Sequence, residues 1–200
     1  MIIDVPDQAL PGGIYVQEAG PLHTGQFFFE SGRAAFVMVD VWDNHHIDTF
    51  RRRADKITRE KIVPALAAAR HVGMNIVHAP SGPTSRQESG CHEISHHITY
   101  RPGEYVHGDP PLHRWFKRRG VTHVVYVGFA TNICLIHRPY GVRKTHSDGY
   151  EVLVLRDATT GVEYPDTLDG MWATRVALRE IERSYGHTAL TEDFIRACKR

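Results

Sequence analysis

Cys134 is placed in the chain where a cysteine can act as a nucleophile. It ends the sequence GFATNIC (residues 128–134), which follows an apolar segment and precedes a predicted helix. A cysteine in the first turn of a helix feels the positive end of the helix dipole, which favours the thiolate. The backbone N–H groups of that turn, those of Ile133 and Cys134, can form an oxyanion hole. The sequence therefore predicts a nucleophile and an anion cradle in one turn, with a buried structural cysteine as the alternative.

Asp40 is the acid predicted to lie beside this cysteine. It ends the continuous apolar run AAFVMV (residues 34–39), which is typical of a strand buried on both faces. In open parallel sheets, ligands bind at the carboxyl ends of the strands, near the point where the strand order reverses. Asp40 and Cys134 are therefore expected at one edge of the sheet. A helix cap or a surface acid is the alternative role for Asp40.

The elements that must position these groups alternate between strand and helix. Apolar runs predict strands over 34–40, 74–78, 121–128 and 151–157, with a short strand near 187–190. Helical spacing predicts helices over 54–72, 110–119, 132–147 and 166–185, followed by a terminal helix. Such alternation indicates parallel βαβ units, and hence a three-layer α/β/α fold with a parallel, Rossmann-like sheet.

The length of 200 residues fits a single hydrophobic core, which we assign to residues 34–200. Residues 1–33 are rich in Gly, Pro and aromatic residues without a sustained period. We predict that they form an arm that packs on the domain or on a partner subunit. The irregular stretch 80–108 is long for a compact domain, and such loops are usually functional or mobile.

Composition narrows the classes of protein to consider. Apolar residues make up 42% and charged residues 24% of the chain, and the formal net charge is +1. There is thus no broad electrostatic footprint for nucleic acid, and no apolar run approaches the ~18 residues of a membrane span. No signal peptide is recognisable, and three widely separated cysteines argue against a disulfide framework. We expect a cytoplasmic protein that acts on a small molecule.

The sequence VGFATNICL (residues 127–135) resembles the nucleophile motif of the isochorismatase-like cysteine hydrolases, whose members include nicotinamidases, N-carbamoylsarcosine amidases and biuret hydrolases. Asp40, the strand start at 149–152 and the pair at 157–158 fit the same pattern, and the resemblance runs from about residue 33 to 195. It implies a six-stranded parallel sheet, a triad of Asp, Lys and Cys, and a non-proline cis peptide near Ala130 and Thr131. By position, Asp40 takes the proton from Cys134, which then forms a thioester that water hydrolyses.

The lysine of that triad has no counterpart at the expected place. No lysine occurs between Lys61 and Lys117, and Lys117 belongs to a predicted surface helix. Arg101 is the nearest residue to the family's lysine position. An arginine can lower the pKa of Cys134 and bond Asp40, but it cannot shuttle a proton because its pKa stays above ~12. A surface residue before a Pro-Gly turn is the alternative role for Arg101.

The predicted pocket also departs from the family. Many relatives have a Gln two residues after the Asp and an acid four after it, whereas this chain has Trp42 and Asn44. The side chains predicted to contact substrate are Trp42, His45, His46, His78 and Arg138. Packing for Trp42 and a contact with a partner subunit for Arg138 are the alternatives.

No metal or cofactor is predicted. The sequence HEISH (residues 92–96) matches the HExxH pattern of zinc proteases, but that chemistry requires a helix. Nearby Gly and Pro residues favour a loop. The Asp-x-His spacing of metal-binding nicotinamidases is absent after His78.

The function favoured by the resemblance is hydrolysis of a C–N bond in a small amide, imide or ureide. Two alternatives remain: hydrolysis of a vinyl ether, which in the family does not depend on the cysteine, and a non-catalytic binding or assembly module that lost its lysine. The arm and the resemblance together predict a homo-oligomer, either a dimer or a tetramer.

Overall fold

A computed structural model of the chain describes residues 1–6, 24–81, 94–106 and 111–199. Its centre is a six-stranded, all-parallel sheet in the order β5-β4-β3-β6-β7-β8. These strands are β3 (Ala34–Val39), β4 (Asn75–Ala79), β5 (Tyr105–Val106), β6 (His123–Phe129), β7 (Glu151–Thr160) and β8 (His187–Ala189). The predicted parallel sheet with helices on both faces is confirmed.

The helices are α1 (Asp48–Ile57), α2 (Val63–His71), α3 (Leu112–Arg119), α4 (Val142–Ser147), α5 (Trp172–Ser184) and α6 (Thr191–Cys198). A 3₁₀ turn covers Ser31–Arg33, and π-helical turns cover Thr58–Ile62 and Thr131–Leu135. Within the described ranges, no helix is long and apolar enough to cross a bilayer.

Several predicted elements differ from the structure, among them the helix predicted over 166–185, which begins at Trp172. The helix predicted from residue 54 begins at Asp48, and a π-helical turn precedes Pro64, which lacks the N–H of a regular helix. The helix predicted over 132–147 is interrupted between His137 and Val142, around Pro139. The short edge strand β5 lies in the stretch predicted to be irregular, because two residues are too few to show a period.

Two apolar clusters cover the two faces of the sheet. Every residue of β3 is buried, and its side chains alternate between the clusters: Phe36 and Met38 on one face, Ala35 and Val37 on the other. This burial on both faces explains why β3 has a continuous apolar sequence. It also fixes the register that brings the end of β3 to the end of β6, where Val39 pairs with Gly128.

The first strands, β1 (Ile2–Pro6) and β2 (Thr24–Phe28), form a separate antiparallel pair. Ile3 and Phe29 are buried in the cluster that also contains Phe194 of α6, and the rings of Phe29 and Phe194 stack at 6.4 Å. Residues 7–23 of the predicted arm lie outside the described residues.

Candidate active site

Asp40 follows β3 directly and is held from several sides. Its backbone is in the left-handed region, with φ of 48°, and its side chain is buried. Ser81, two residues after β4, donates its backbone N–H to Oδ1 and its hydroxyl to Oδ2, the latter at 2.6 Å. The Tyr140 hydroxyl lies 2.8 Å from the Ser81 hydroxyl. The Asp40 carboxylate is therefore fixed by Ser81, whose hydroxyl is bonded in turn to Tyr140 from another segment of the chain.

Cys134 lies opposite this carboxylate, in the π-helical turn that follows β6. Its thiol hydrogen-bonds Asp40, and the guanidinium of Arg138, one turn further along, hydrogen-bonds the sulfur. The Arg138 backbone N–H donates to the Cys134 carbonyl at 3.2 Å, so both side chains project from the same side of the turn. The thiol thus lies between a carboxylate and a guanidinium.

The charges around Cys134 act on its pKa in opposite directions. Burial raises the pKa of the thiol above its ordinary value, and the charge and hydrogen bond of Asp40 raise it further. Arg138 opposes this rise without cancelling it. The helix-dipole argument predicts the thiolate, whereas the structure favours a neutral thiol that donates to the Asp40 carboxylate. Burial also raises the pKa of Asp40, while the bonds from Ser81 and Cys134 lower it.

The turn before the cysteine has a specific backbone path. Gly128 has φ of 109°, and the peptide bond between Phe129 and Ala130 is cis. The next residue, Thr131, bonds the Thr159 hydroxyl of β7 at 2.6 Å. The cis bond lies immediately before Ala130, in the turn where the family resemblance places one.

One of the backbone N–H groups predicted to form the oxyanion hole is already hydrogen-bonded within the turn. The N–H of Ile133 donates to the carbonyl of Ala130 at 3.0 Å, so it is already engaged. This bond removes Ile133 from the predicted pair of oxyanion donors, Ile133 and Cys134. The position of Ile133 in the sequence does not reveal its bond to Ala130, because the bond depends on how the chain bends back in the π-helical turn.

The sequence model of the isochorismatase domain matches residues 34–179. The chain belongs to the isochorismatase family. No curated protein sequence matches it. Family membership supports a hydrolase, and it places Asp40 and Cys134 inside the matched region.

Solved structures show the same fold at low sequence identity. A cysteine hydrolase from Pseudomonas syringae pv. phaseolicola is similar with a TM-score of 0.65 and 19% identity, over 86% of this chain and 94% of that chain. An isochorismatase family protein from Burkholderia thailandensis is similar with a TM-score of 0.62 and 18% identity, over 84% of this chain and 97% of that chain. N-carbamoylsarcosine amidase from Thermoplasma acidophilum is similar with a TM-score of 0.60 and 18% identity, over 80% of this chain and 97% of that chain.

Arg101 is not part of this site, which corrects the prediction that it takes the place of the family's lysine. It is exposed and lines a groove with Gly73, Met74 and Asn75, at the amino end of β4. Cys134 follows the carboxyl end of β6, at the opposite edge of the parallel sheet. The sequence order shows which segment should contain the counterpart of the family's lysine. It does not show at which edge of the sheet a residue of that segment lies.

His78 is engaged elsewhere. Its Nε2 lies 2.7 Å from a carboxylate oxygen of Glu104, which also forms a two-pronged ion pair with Arg70. The ring packs against that of Tyr100 at a tilt of 48° and is buried. His78 therefore belongs to a buried ion network rather than to the surroundings of Cys134. Among the described residues, no group of three or more His, Cys, Asp or Glu side chains could hold a metal ion.

The loop after Asp40 carries the other predicted pocket residues. Trp42 is partly exposed and pairs through its backbone with Ile94. His45 packs on Phe50, and His46 stacks on His45 and is exposed. The structure thus places this loop beside the carboxyl end of β3, without showing a contact of these side chains with Cys134.

The HEISH segment is only partly within the described residues, since His92 and Glu93 lie outside them, as does Cys91. The described part, residues 94–96, contains no helix. The ring of His96 lies 2.9 Å from the Asp43 carboxylate, and Ser95 donates its backbone N–H to Val41. These contacts attach the segment to the loop that follows Asp40.

Two residues of the site were missed by sequence reasoning. Ser81 stands two residues after β4, so the rule that sites form at the carboxyl ends of strands would have found it. Tyr140 follows Pro139 inside a segment predicted as one helix, and only the break in that helix brings it to Ser81.

Proposed function

We propose that this protein hydrolyses a C–N bond in a small amide, imide or ureide through a thioester on Cys134. Asp40 serves as the base, and Arg138 supplies the positive charge that lysine supplies elsewhere in the family. The observation that carries the proposal is the Cys134 thiol, hydrogen-bonded both to the Asp40 carboxylate and to the Arg138 guanidinium.

In the first half-reaction, Asp40 takes the thiol proton as the sulfur attacks the carbonyl carbon of the substrate. The negative charge that develops on the oxygen is stabilised by the N–H of Cys134 and by Arg138. Asp40 then returns its proton to the leaving nitrogen, the C–N bond breaks, and an amine or ammonia departs from the thioester.

In the second half-reaction, Asp40 takes a proton from water, and the hydroxide attacks the thioester carbonyl. The C–S bond breaks to give a carboxylic acid, and the proton on Asp40 returns to the sulfur. Arg138 remains charged throughout, because a guanidinium does not release its proton in this pH range. The proton thus moves only between Asp40, sulfur, nitrogen and water.

Alkylation with iodoacetamide tests the nucleophile directly. We expect Cys134 to react at least tenfold faster than Cys198, which is buried in the core and has a thiol pKa raised to about 12. A screen of small amides and ureides with detection of ammonia should give turnover that disappears in step with labelling. Cys134→Ser should abolish it, and Cys198→Ala is the matched control.

Each other outcome contradicts the proposal in its own way. Equal, slow labelling of the cysteines would remove the nucleophile. Turnover that survives Cys134→Ala would point to vinyl-ether hydrolysis independent of the cysteine. Ligand-induced thermal shifts without any turnover would favour a binding module.

A further inference from the structure

The Asp40 carboxylate is the end point of a short chain of buried hydroxyl groups. We propose that Ser81 and Tyr140 are positioning residues, which hold this carboxylate in the orientation from which it takes the Cys134 proton. The inference rests on the proposed function, because it assigns a role relative to the base of that reaction.

The direction of each hydrogen bond follows from the chemistry of its partners. An ionised carboxylate only accepts, so the Ser81 hydroxyl must donate to Asp40 Oδ2 at 2.6 Å. The Ser81 oxygen is then free to accept, and the Tyr140 hydroxyl donates to it at 2.8 Å. The Ser81 backbone N–H occupies Oδ1. The two carboxylate oxygens are thus held separately, which prevents rotation of the group away from the thiol.

All three side chains are removed from water. Their exposed fractions are 2% for Asp40, 4% for Ser81 and 5% for Tyr140. Hydrogen bonds between buried groups are stronger than in water, and consecutive bonds polarise one another. Water therefore does not replace the Ser81 hydroxyl readily, and Tyr140 strengthens it as a donor.

The hydrogen bonds between Tyr140, Ser81 and Asp40 also bear on the ionisation of Asp40. Burial raises the pKa of Asp40, and the Ser81 side chain is the largest influence that lowers it again, ahead of Cys134 and of Arg138. Within the part of the chain that the structure describes, the other titratable groups that face Asp40 are Cys134, Arg138 and Tyr140. Because Arg138 is exposed and directs its hydrogen bond to the sulfur, Ser81 does more than the cation to keep the base deprotonated.

Ser81 and Tyr140 come from distant segments of the chain, so their hydrogen bond depends on the tertiary fold. Ser81 comes from the end of β4, and Tyr140 comes from the interruption before α4, 59 residues later. Gly141 is needed for this interruption, since a Cβ there would lie 2.6 Å from the carbonyl oxygen of Leu135. The interruption thus lets Tyr140 reach Ser81 while Arg138 reaches the sulfur.

The pH dependence of Cys134 alkylation by iodoacetamide tests the inference without a known substrate. The acid limb of that profile reports the lower pKa of the coupled Asp40–Cys134 pair. Ser81→Ala should move this limb to higher pH by roughly one pH unit, because the carboxylate loses a charge-assisted bond. Tyr140→Phe should move it less, in the same direction, and Ser81→Thr should restore the wild-type position.

The matched control is Tyr150→Phe, which removes another largely buried tyrosine hydroxyl, bonded to the His113 carbonyl away from the site. It should leave the acid limb unchanged. An unmoved limb in Ser81→Ala, or an equal shift in Tyr150→Phe, would overturn the inference. Failure of the proposed function looks different: wild-type Cys134 would then label no faster than Cys198.

Discussion

At the scale of single residues, the Cys134 thiol is balanced between two charges of opposite sign. Burial and Asp40 raise its pKa, and Arg138 lowers it. The resting thiol therefore keeps its proton, and in the proposed reaction it passes that proton to Asp40 as the sulfur attacks the carbonyl carbon. In that proposed reaction, Arg138 contributes only electrostatic stabilisation, which a lysine at another position could also supply.

Replacement of Arg138 should show this division of labour. Arg138→Ala removes the charge that lowers the thiol pKa, so the alkylation profile of Cys134 should move to higher pH. At a fixed pH below the thiol pKa, the thiolate fraction falls about tenfold for every pH unit by which the profile moves. Arg138→Lys should recover part of the loss, and rates of iodoacetamide alkylation between about pH 6 and 10 measure both.

Arg143, exposed on α4, provides the matched control, since Arg143→Ala removes an arginine nearby in sequence. It should leave the profile of Cys134 unchanged. If Arg138→Ala gave the wild-type profile as well, the electrostatic role would have to be assigned to another group.

The sequence predicts single residues well where position in an element determines direction. Asp40 directly follows β3, and Cys134 lies in the helical turn that follows β6, so their common edge follows from parallel topology. The prediction for Arg101 was wrong because its segment connects one edge of the sheet with the other. Residue order alone does not show where along the segment the chain changes edges. Tyr140 carries no motif, since its role depends on where a helix breaks.

At the scale of elements, the pairing of β3 with β6 creates the site and restricts the sequence of the turn. Val39 pairs with Gly128, and a Cβ at Gly128 would overlap the Val39 carbonyl oxygen. Gly128 also has φ of 109°, a region that residues with a Cβ rarely adopt. The glycine thus lets the segment that leads into the Cys134 turn lie directly against Val39, the residue that precedes Asp40.

Gly128→Ala should therefore impair both folding and the site. We expect a loss of at least about 2 kcal/mol in the free energy of unfolding, from backbone strain and steric overlap. The reaction of Cys134 with iodoacetamide should slow as well, because the overlap displaces Val39 and with it Asp40. Urea denaturation and labelling rates measure the two effects.

Gly149→Ala separates strain from overlap. Gly149 also has a positive φ, of 87°, but nothing lies within 4 Å of a Cβ placed there. Its loss should be smaller, about 1 kcal/mol, with normal labelling of Cys134. Equal losses for the two variants would show that the contact with Val39 is unimportant.

At the scale of the whole molecule, a buried ion network joins three parts of the fold. Glu104, just before β5, binds Arg70 of α2 through both carboxylate oxygens, at 2.7 and 2.9 Å, and His78 of β4 at 2.7 Å. The side chains of Arg70 and Glu104 are only 11% and 8% exposed. Removal of one partner from such a pair leaves an uncompensated buried charge.

This network should make the protein sensitive to acid through Glu104. Burial opposes ionisation of Glu104, but the bonds from Arg70 and His78 prevail and hold its pKa below the ordinary value. The folded pKa is thus lower than the unfolded one, which is about 4.3, so the stabilisation is fully present above that pH. It is lost as the pH falls through the folded value.

Glu104→Gln should accordingly lower the free energy of unfolding by about 3 kcal/mol at about pH 7. The difference from wild type should shrink as the pH falls through the lowered pKa of folded Glu104, because the carboxylate of the wild type then becomes protonated as well. Urea denaturation from about pH 3 to 8 measures it. Glu60→Gln, which removes an exposed partner of Arg59, should change stability by less than about 0.5 kcal/mol. A Glu104→Gln difference that stays constant across the pH range would show that packing, not the charge, is what Glu104 contributes.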